Sequence, residues 1–178
     1  MKHIPLLFLL IFTFTFCQGQ TLDNRIREIQ KECIAINKSN TQSIDSIEIN
    51  DESTDGGLLK IFRDPSGKIS KMIVWYYGET GKLIQEYYLR NEKLFYTITQ
   101  KYEYNRPYYW DAQKAKELGD SVAFDSSKSI IIENKYYFDT NENLVQWIDK
   151  DQTIIQSNQI LNPLNIKIME EFEGLKKR

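Results

Sequence analysis

The chain has 178 residues, of which 41% are hydrophobic, 13% aromatic and 27% charged, and its formal net charge is −2. This length suits one domain, and the composition is typical of a globular protein rather than a disordered one. The small negative charge gives no electrostatic reason to expect binding to nucleic acid or to an anionic membrane, because both need a basic surface.

The N-terminus has the pattern of a signal peptide over residues 1–19. Its apolar run, Ile4–Phe16, would form about 20 Å of helix, too short to span a bilayer of about 30 Å. Cys17 and Gly19 place small residues before a cleavage site that precedes Gln20. We therefore expect an exported protein, periplasmic or secreted. In the alternative, Cys17 is the lipidated first residue of a membrane-anchored lipoprotein.

Removal of the predicted signal peptide would leave few residues for nucleophilic or metal chemistry. The only histidine is His3, within the predicted signal peptide, and Cys33 is the one cysteine left after cleavage. These counts exclude Ser-His-Asp and Cys-His nucleophiles, His-ligated zinc and an intrachain disulfide in the processed chain. The sequence contains no glycine-rich phosphate loop. We expect no metal site and no cofactor, and we expect Cys33 to pack as a small hydrophobe.

An amphipathic helix is predicted over residues 21–37. Its apolar residues recur at the spacing of one helix face: Leu22, Ile26, Ile29, Cys33 and Ile36. A single apolar stripe needs a surface to lie on. We therefore expect the helix to lie across one face of a sheet.

The sheet is predicted over residues 44–104 and 129–149. Three runs rich in β-branched and aromatic residues, separated by short Gly and Asn turns, form its centre: Ile69–Tyr77, Lys82–Arg90 and Lys93–Tyr104. The expected fold class is α+β, with a single twisted antiparallel β-meander sheet of about six or seven strands, an N-terminal helix and a C-terminal helix. Residues 20–178 are expected to form one domain.

Alternation along the third run predicts one buried and one wet face of the sheet. Tyr96 and Ile98 share one face, and the more polar Thr97 and Thr99 share the other. Large apolar residues of the strands are expected to be largely buried: Trp75, Ile98 and Trp147.

An insertion over residues 105–128 interrupts the strands and contains a short predicted helix, Asp111–Leu118. Beyond the sheet, Thr153–Gln156 is a candidate edge strand. The C-terminal helix is predicted over residues 162–174, because Asn162 can cap it and the proline that follows suits the first helical position.

The turn-plus-strand units share a pattern: a Gly or Asn turn, then Lys or Asn, then Leu or Ile, then Tyr-Tyr, and Asn141-Glu-Asn-Leu144 echoes Asn91-Glu-Lys-Leu94. This pattern resembles bacterial β-meander repeats of the MORN-like and YD-repeat type. The chain also resembles small exported bacterial proteins of uncharacterised function built on such repeats. The resemblance covers about Leu58–Asp149. It implies a binding or scaffolding surface and supplies no catalytic residue.

The segment best suited to a ligand lies in the insertion and consists of Arg106, Tyr108, Tyr109, Trp110 and Asp111. Three aromatic side chains beside an Arg and an Asp suit contact with a sugar or a peptide. The same residues also suit a plug for the end of the core, which is the commoner role of an aromatic cluster. The leading hypothesis is a non-catalytic binding or scaffold protein whose protein or glycan partner contacts a sheet face or this insertion.

The alternative hypothesis is a carboxylate-dependent glycan-active enzyme. Two carboxylates about 5–9 Å apart can hydrolyse glycosides, and four lie in or beside aromatic strands: Glu86, Glu103, Asp111 and Glu133. Charge pairing would instead give them a structural role, with partners at Lys71, Arg90, Lys101 and Lys135.

A calcium loop is the nearest match to a metal site. Asp139–Asn143 begins like such a loop, but Leu144 stands where the loop needs glycine and Lys150 where it needs a bidentate Glu. The segment is therefore predicted to be a hairpin turn.

Overall fold

The computed structural model describes three stretches of the chain, residues 24–39, 43–50 and 52–178. The predicted signal peptide over residues 1–19, including the lipidation alternative at Cys17, lies outside the described residues. So do residues 21–23 of the first predicted helix.

Contacts along the chain divide it into two units, the first ending at Ser39 and the second beginning at Asn40. In the first unit, residues 24–38 form helix α1. Ile29 and Cys33 are buried and stand one turn apart on the predicted apolar stripe. The spacing of apolar residues thus located the helix, which extends one residue beyond its predicted end.

The second unit contains one antiparallel sheet in which each strand pairs with its neighbours in the chain. Its strands are β1 Ser43–Ile49, β2 Gly57–Arg63, β3 Ile69–Gly78, β4 Gly81–Arg90, β5 Lys93–Glu103, β6 Ile130–Phe138, β7 Leu144–Ile148 and β8 Ile154–Ile155. The predicted α+β class and antiparallel meander are confirmed. The sheet has eight strands rather than six or seven, and the short β8 lies in the segment considered as an edge strand.

Two helices follow the meander or interrupt it. Helix α2 spans Ala112–Glu117 within the insertion, and α3 spans Asn158–Lys176. The predicted C-terminal helix, 162–174, was wrong at both ends, since α3 begins earlier and Pro163 lies inside it. At the start of the helix, Leu161 is buried in the core, and this burial offsets the backbone hydrogen bond that Pro163 cannot make. At the other end, burial of Leu175 stabilises a helix that continues past Gly174.

The core of the second unit lies between α3 and one face of the sheet, which we call the helix face. Strand register places a row of directly opposed residues across that face: Ile61, Met72, Tyr87, Thr97, Tyr136 and Trp147. The buried stripe of α3 belongs to the same core and consists of Leu161, Ile168, Phe172 and Leu175. The Phe172 ring stacks on Tyr87 with centroids 5.7 Å apart.

Burial along β5 does not follow the predicted alternation, because Tyr96 and Thr97, on opposite faces of the strand, are both buried. Thr97 lies on the helix face and is buried, because α3 covers the threonine side of the strand. Trp75 and Ile98 point to the opposite face and are only partly buried. Trp147 packs at the margin of the core and is also partly exposed.

Three hairpins close with the same aspartate turn, at Asp64, Asp139 and Asp149. In each, the carboxylate accepts backbone N–H groups from the residues two and four positions further on. The residue three positions on has a positive φ. In the second of these turns the other carboxylate oxygen accepts from the side-chain amide of Asn143, and the predicted hairpin turn is therefore present at Asp139–Asn143.

The β4–β5 turn carries backbone strain that a substitution should relieve. Asn91 and Glu92 have φ values of 51° and 64°, the left-handed pair that a two-residue hairpin requires. At these φ values a residue with a Cβ atom destabilises the folded state by about 1–2 kcal/mol relative to glycine. Glycine recovers only part of this stability, because it raises the conformational entropy of the unfolded chain. We expect Glu92→Gly to raise the free energy of unfolding by about 0.5–1 kcal/mol, measured by urea denaturation.

Glu142 provides the matched control, because its φ is also 64°. Its side-chain Oε1 accepts a hydrogen bond from the backbone N–H of Leu94 at 2.9 Å, and glycine would remove that acceptor. Glu142→Gly should therefore gain less than Glu92→Gly. A loss of stability in Glu92→Gly would contradict the strain argument.

Candidate functional site

One end of the sheet carries a cluster of tyrosines that we call the aromatic end: Tyr77, Tyr102, Tyr104, Tyr108 and Tyr109. The first lies at the end of β3, the second near the end of β5, and the others follow β5 into the insertion. Tyr77, Tyr108 and Tyr109 are 39%, 52% and 40% exposed. Tyrosines with an exposed ring and a polar tip are well suited to contacting a partner.

Backbone hydrogen bonds hold the insertion against the β3–β4 turn. The Tyr104 N–H donates to the carbonyl of Thr80 at 2.8 Å, and the Tyr108 N–H donates to the carbonyl of Glu79 at 2.9 Å. The Tyr109 hydroxyl donates to the Glu79 carboxylate at 3.3 Å. The exposed rings are therefore presented on an anchored backbone, which lowers the entropy cost of binding.

The Glu79 carboxylate also affects the chemistry of Tyr109. Its negative charge raises the pKa of the Tyr109 hydroxyl, and burial and the hydrogen bond act in the same direction. The phenol thus stays protonated at neutral pH and remains a hydrogen-bond donor. The two rings of Tyr108 and Tyr109 meet edge to face, with centroids 5.7 Å apart.

An open groove of ≈ 540 Å³ runs along this end of the strands, between Tyr77, Lys82 and Tyr102. The Lys82 ammonium lies over the Tyr102 ring, 4.6 Å from its centroid. At the groove wall, Lys101 and Glu103 form an ion pair at 2.7 Å. The groove therefore offers aromatic faces, hydroxyls and charges of both signs, and its volume falls in the range of about 300–1,000 Å³ typical of small-molecule sites.

The predicted ligand residues have different roles in the structure. Tyr108 and Tyr109 are exposed, whereas Arg106 pairs with Asp120 at 3.1 Å. The Val122 N–H and the Arg106 guanidinium outweigh the effect of burial and lower the pKa of the Asp120 carboxyl. Asp111 caps α2 by accepting the Lys114 N–H at 2.9 Å.

Trp110 belongs to the internal packing of the insertion. Its indole N–H is buried, and its carbonyl accepts the N–H of Phe124 at 2.7 Å. The Phe124 ring meets Tyr104 edge to face with centroids 5.2 Å apart. One part of the insertion therefore packs, whereas Tyr108 and Tyr109 are exposed, as contact with a partner would require.

Sequence reasoning missed Tyr77 and Glu79 as members of this site. The signal for them was the antiparallel pairing of β4 with β5. Gly81 pairs with Glu103, so the residues that leave β5 must pass the β3–β4 turn. Register, rather than residue type, would have brought the turn and the insertion together.

Three of the four carboxylates considered for catalysis are paired with lysine. Lys71 pairs with Glu86 at 2.6 Å, Lys101 with Glu103 at 2.7 Å and Lys135 with Glu133 at 2.9 Å, and only the first of these pairs joins two strands. The fourth carboxylate, Asp111, is the α2 cap described above.

The surroundings of Glu133 do not suit a general acid. Burial raises the pKa of its carboxyl, but hydrogen bonds from Lys135 and Gln100 outweigh that effect and lower it. A glycosidase acid needs a raised pKa to stay protonated near neutral pH.

Within the described ranges, no helix is long and apolar enough to cross a bilayer, and no three His, Cys or acidic side chains lie close enough together to hold a metal ion.

The chain matches no protein-family model, no curated protein and no solved structure. The resemblance to MORN-like and YD repeats therefore stays a prediction, and the function must be inferred from the geometry of the site.

Proposed function

We propose that the chain is an exported, non-catalytic binding protein that contacts its partner through the aromatic end. One observation carries the proposal: three exposed tyrosines lie at one end of the sheet on a backbone anchored by hydrogen bonds, and one of them, Tyr77, lines a groove of ≈ 540 Å³. Rigid aromatic side chains give large contact areas at low entropy cost, which is why they are enriched at binding hot spots.

The partner is a glycan chain or a protein segment. Both have apolar C–H faces that can lie on a tyrosine ring and polar groups that can bind the Tyr109 hydroxyl or the Lys82 ammonium. Export rests on the sequence of residues 1–19, and membrane attachment would require the lipid at Cys17. The small net charge favours neither nucleic acid nor an anionic membrane as partner.

A carboxylate-dependent glycan enzyme remains the alternative class. The surroundings of Glu133 favour binding, because the hydrogen bonds from Lys135 and Gln100 lower the pKa of its carboxyl, whereas glycoside cleavage needs a protonated acid.

The test is a glycan-array screen, together with crosslinking to exported proteins, using wild-type protein and the double variant Tyr108→Ala/Tyr109→Ala. We expect the variant to lose at least tenfold in affinity for the wild-type partner, because truncation of an aromatic hot spot costs about 2 kcal/mol or more. Ile166→Ala is the control. It truncates a side chain that is 61% exposed on α3, away from the aromatic end, and should bind as wild type does.

Equal binding by the double variant would rule out the aromatic end as the contact surface. Each glycan that binds is also incubated with the protein and analysed for cleavage. Release of a shorter product would replace the binding proposal with the enzymatic one.

A further inference from the structure

A second, smaller pocket lies between the helix face of the sheet and α3. Its volume is ≈ 210 Å³, and polar groups from three strands and the helix line it: Gln85, Tyr87, Thr97, Thr99, Tyr136 and Glu171. It shares only Leu83 with the groove at the aromatic end. The pocket is therefore a separate site, independent of the proposed function.

Two hydroxyls in this pocket have no hydrogen-bond partner among the described residues. They are the hydroxyl of Tyr87 and Oγ1 of Thr97, on side chains that are 0% and 1% exposed. The two residues pair directly across β4 and β5, so both hydroxyls belong to the same part of the helix face. Buried polar groups are rarely left unpaired, and two together indicate that something binds there.

Other polar groups in the pocket are already oriented. The side-chain amide of Gln85 donates to the Glu171 carboxylate at 3.3 Å, and Tyr136 shares a hydrogen bond with Thr99. Burial, followed by the charge of Glu171, raises the pKa of Tyr87, so this phenol is a neutral group that can both donate and accept.

The charges on the wall of the pocket oppose one another. Lys167 and Glu171 both line it from α3, so a bare cation meets an ammonium and a bare anion meets a carboxylate. Leu164 and Ile168 add an aliphatic surface between them. The volume of ≈ 210 Å³ is below the about 300–1,000 Å³ of pockets for drug-sized ligands, which limits the occupant to one small molecule.

We propose that this pocket binds one neutral, polyhydroxylated molecule of the size of a monosaccharide. Vicinal hydroxyls can donate to the Glu171 carboxylate, and Tyr87 and Thr97 can each give and receive a hydrogen bond from a further hydroxyl. The C–H face of such a molecule can lie on the aliphatic side formed by Leu164 and Ile168. An ion of either sign would be attracted by only one of the two charged side chains in this lining and repelled by the other.

The test measures the melting temperature and the binding heat of the protein with a panel of hexoses, N-acetylhexosamines and sugar alcohols. Glycine and sodium phosphate represent zwitterions and ions. We expect at least one sugar or sugar alcohol to bind and to raise the melting temperature with increasing concentration, because a ligand of the folded state stabilises it by mass action.

Thr97→Val and Tyr87→Phe each remove one unpartnered hydroxyl and keep the shape of the side chain. We expect each variant to lose about tenfold in sugar affinity while the melting temperature without sugar stays the same or rises, because no protein hydrogen bond is lost. The Tyr108→Ala/Tyr109→Ala variant of the aromatic end should bind the sugar as wild type does. This separates failure of the pocket from failure of the proposed function.

The proposal is overturned if no polyhydroxylated compound changes the melting temperature, or if both hydroxyl variants bind as tightly as wild type. Stronger binding of glycine or phosphate than of any sugar would overturn the ligand class. Lower melting temperatures in both variants, with no response to sugar, would identify the occupant as water.

Discussion

Replacing Phe172 with alanine is expected to lower the free energy of unfolding by about 3–5 kcal/mol, as buried aromatic truncations do. The Phe172 side chain is 0% exposed, lies at the centre of the α3 stripe and stacks on Tyr87. Its removal leaves a cavity between the helix and the sheet that rigid strands can fill only partly. The variant therefore loses both the hydrophobic free energy of burying the ring and the van der Waals contacts around it, and the two losses add together.

Urea denaturation followed by circular dichroism measures this loss. Ile166→Ala, on the exposed side of the same helix, should change the free energy of unfolding by no more than about 0.5 kcal/mol, because it removes a solvated side chain. A loss of less than 1 kcal/mol in Phe172→Ala would contradict the packing of α3 against the sheet through this contact. It would also contradict the pocket described above, because α3 forms one side of it.

Local patterns were sufficient to predict the centre of the sheet. The β-branched and aromatic runs of β3, β4 and β5 fix strand character, and the glycines and the Asn91–Glu92 pair fix the turns between them. The period of two along a strand and the spacing of apolar residues in a helix are short-range properties, so these elements can be located without knowing their neighbours.

The sequence could not tell which face of the sheet α3 would cover. Along β5 one face carries tyrosine and isoleucine and the other carries threonine, and the more polar face is the one that lies against α3. The choice depends on a helix far along the chain, whose position Phe172 and Tyr87 fix by packing together. No pattern within β5 contains that information.

The candidate sites likewise combine residues that local patterns identify with residues that only the folded chain brings close to them. Tyr108 and Tyr109 were predicted from their local composition, but the Glu79 that anchors them is 30 residues from Tyr109. The pocket beneath α3 was missed entirely. Gln85 and Glu171, which meet within it, are separated by 86 residues, and only the strand register and the docked helix bring them together.

Gly81→Ala is the second substitution with a large expected effect. A Cβ atom on Gly81 would lie well under 3.0 Å from the backbone carbonyl oxygen of Tyr102, on the neighbouring strand. A backbone atom cannot rotate away as a side chain can, so β4 and β5 must separate locally. We expect the free energy of unfolding to fall by about 3 kcal/mol, at the upper end of overpacking costs.

Gly174→Ala is the matched control, since a Cβ atom there meets nothing within 4 Å. The position lies in α3, where alanine is favoured over glycine by about 0.5–1 kcal/mol, so this variant should be more stable than wild type. Urea denaturation of the two variants should therefore give changes of opposite sign.

Because the Tyr104 N–H binds the carbonyl beside Gly81, separation of β4 from β5 should also weaken binding at the aromatic end. A Gly81→Ala protein as stable as wild type would contradict the close approach of these strands and, with it, the anchoring of the exposed tyrosines.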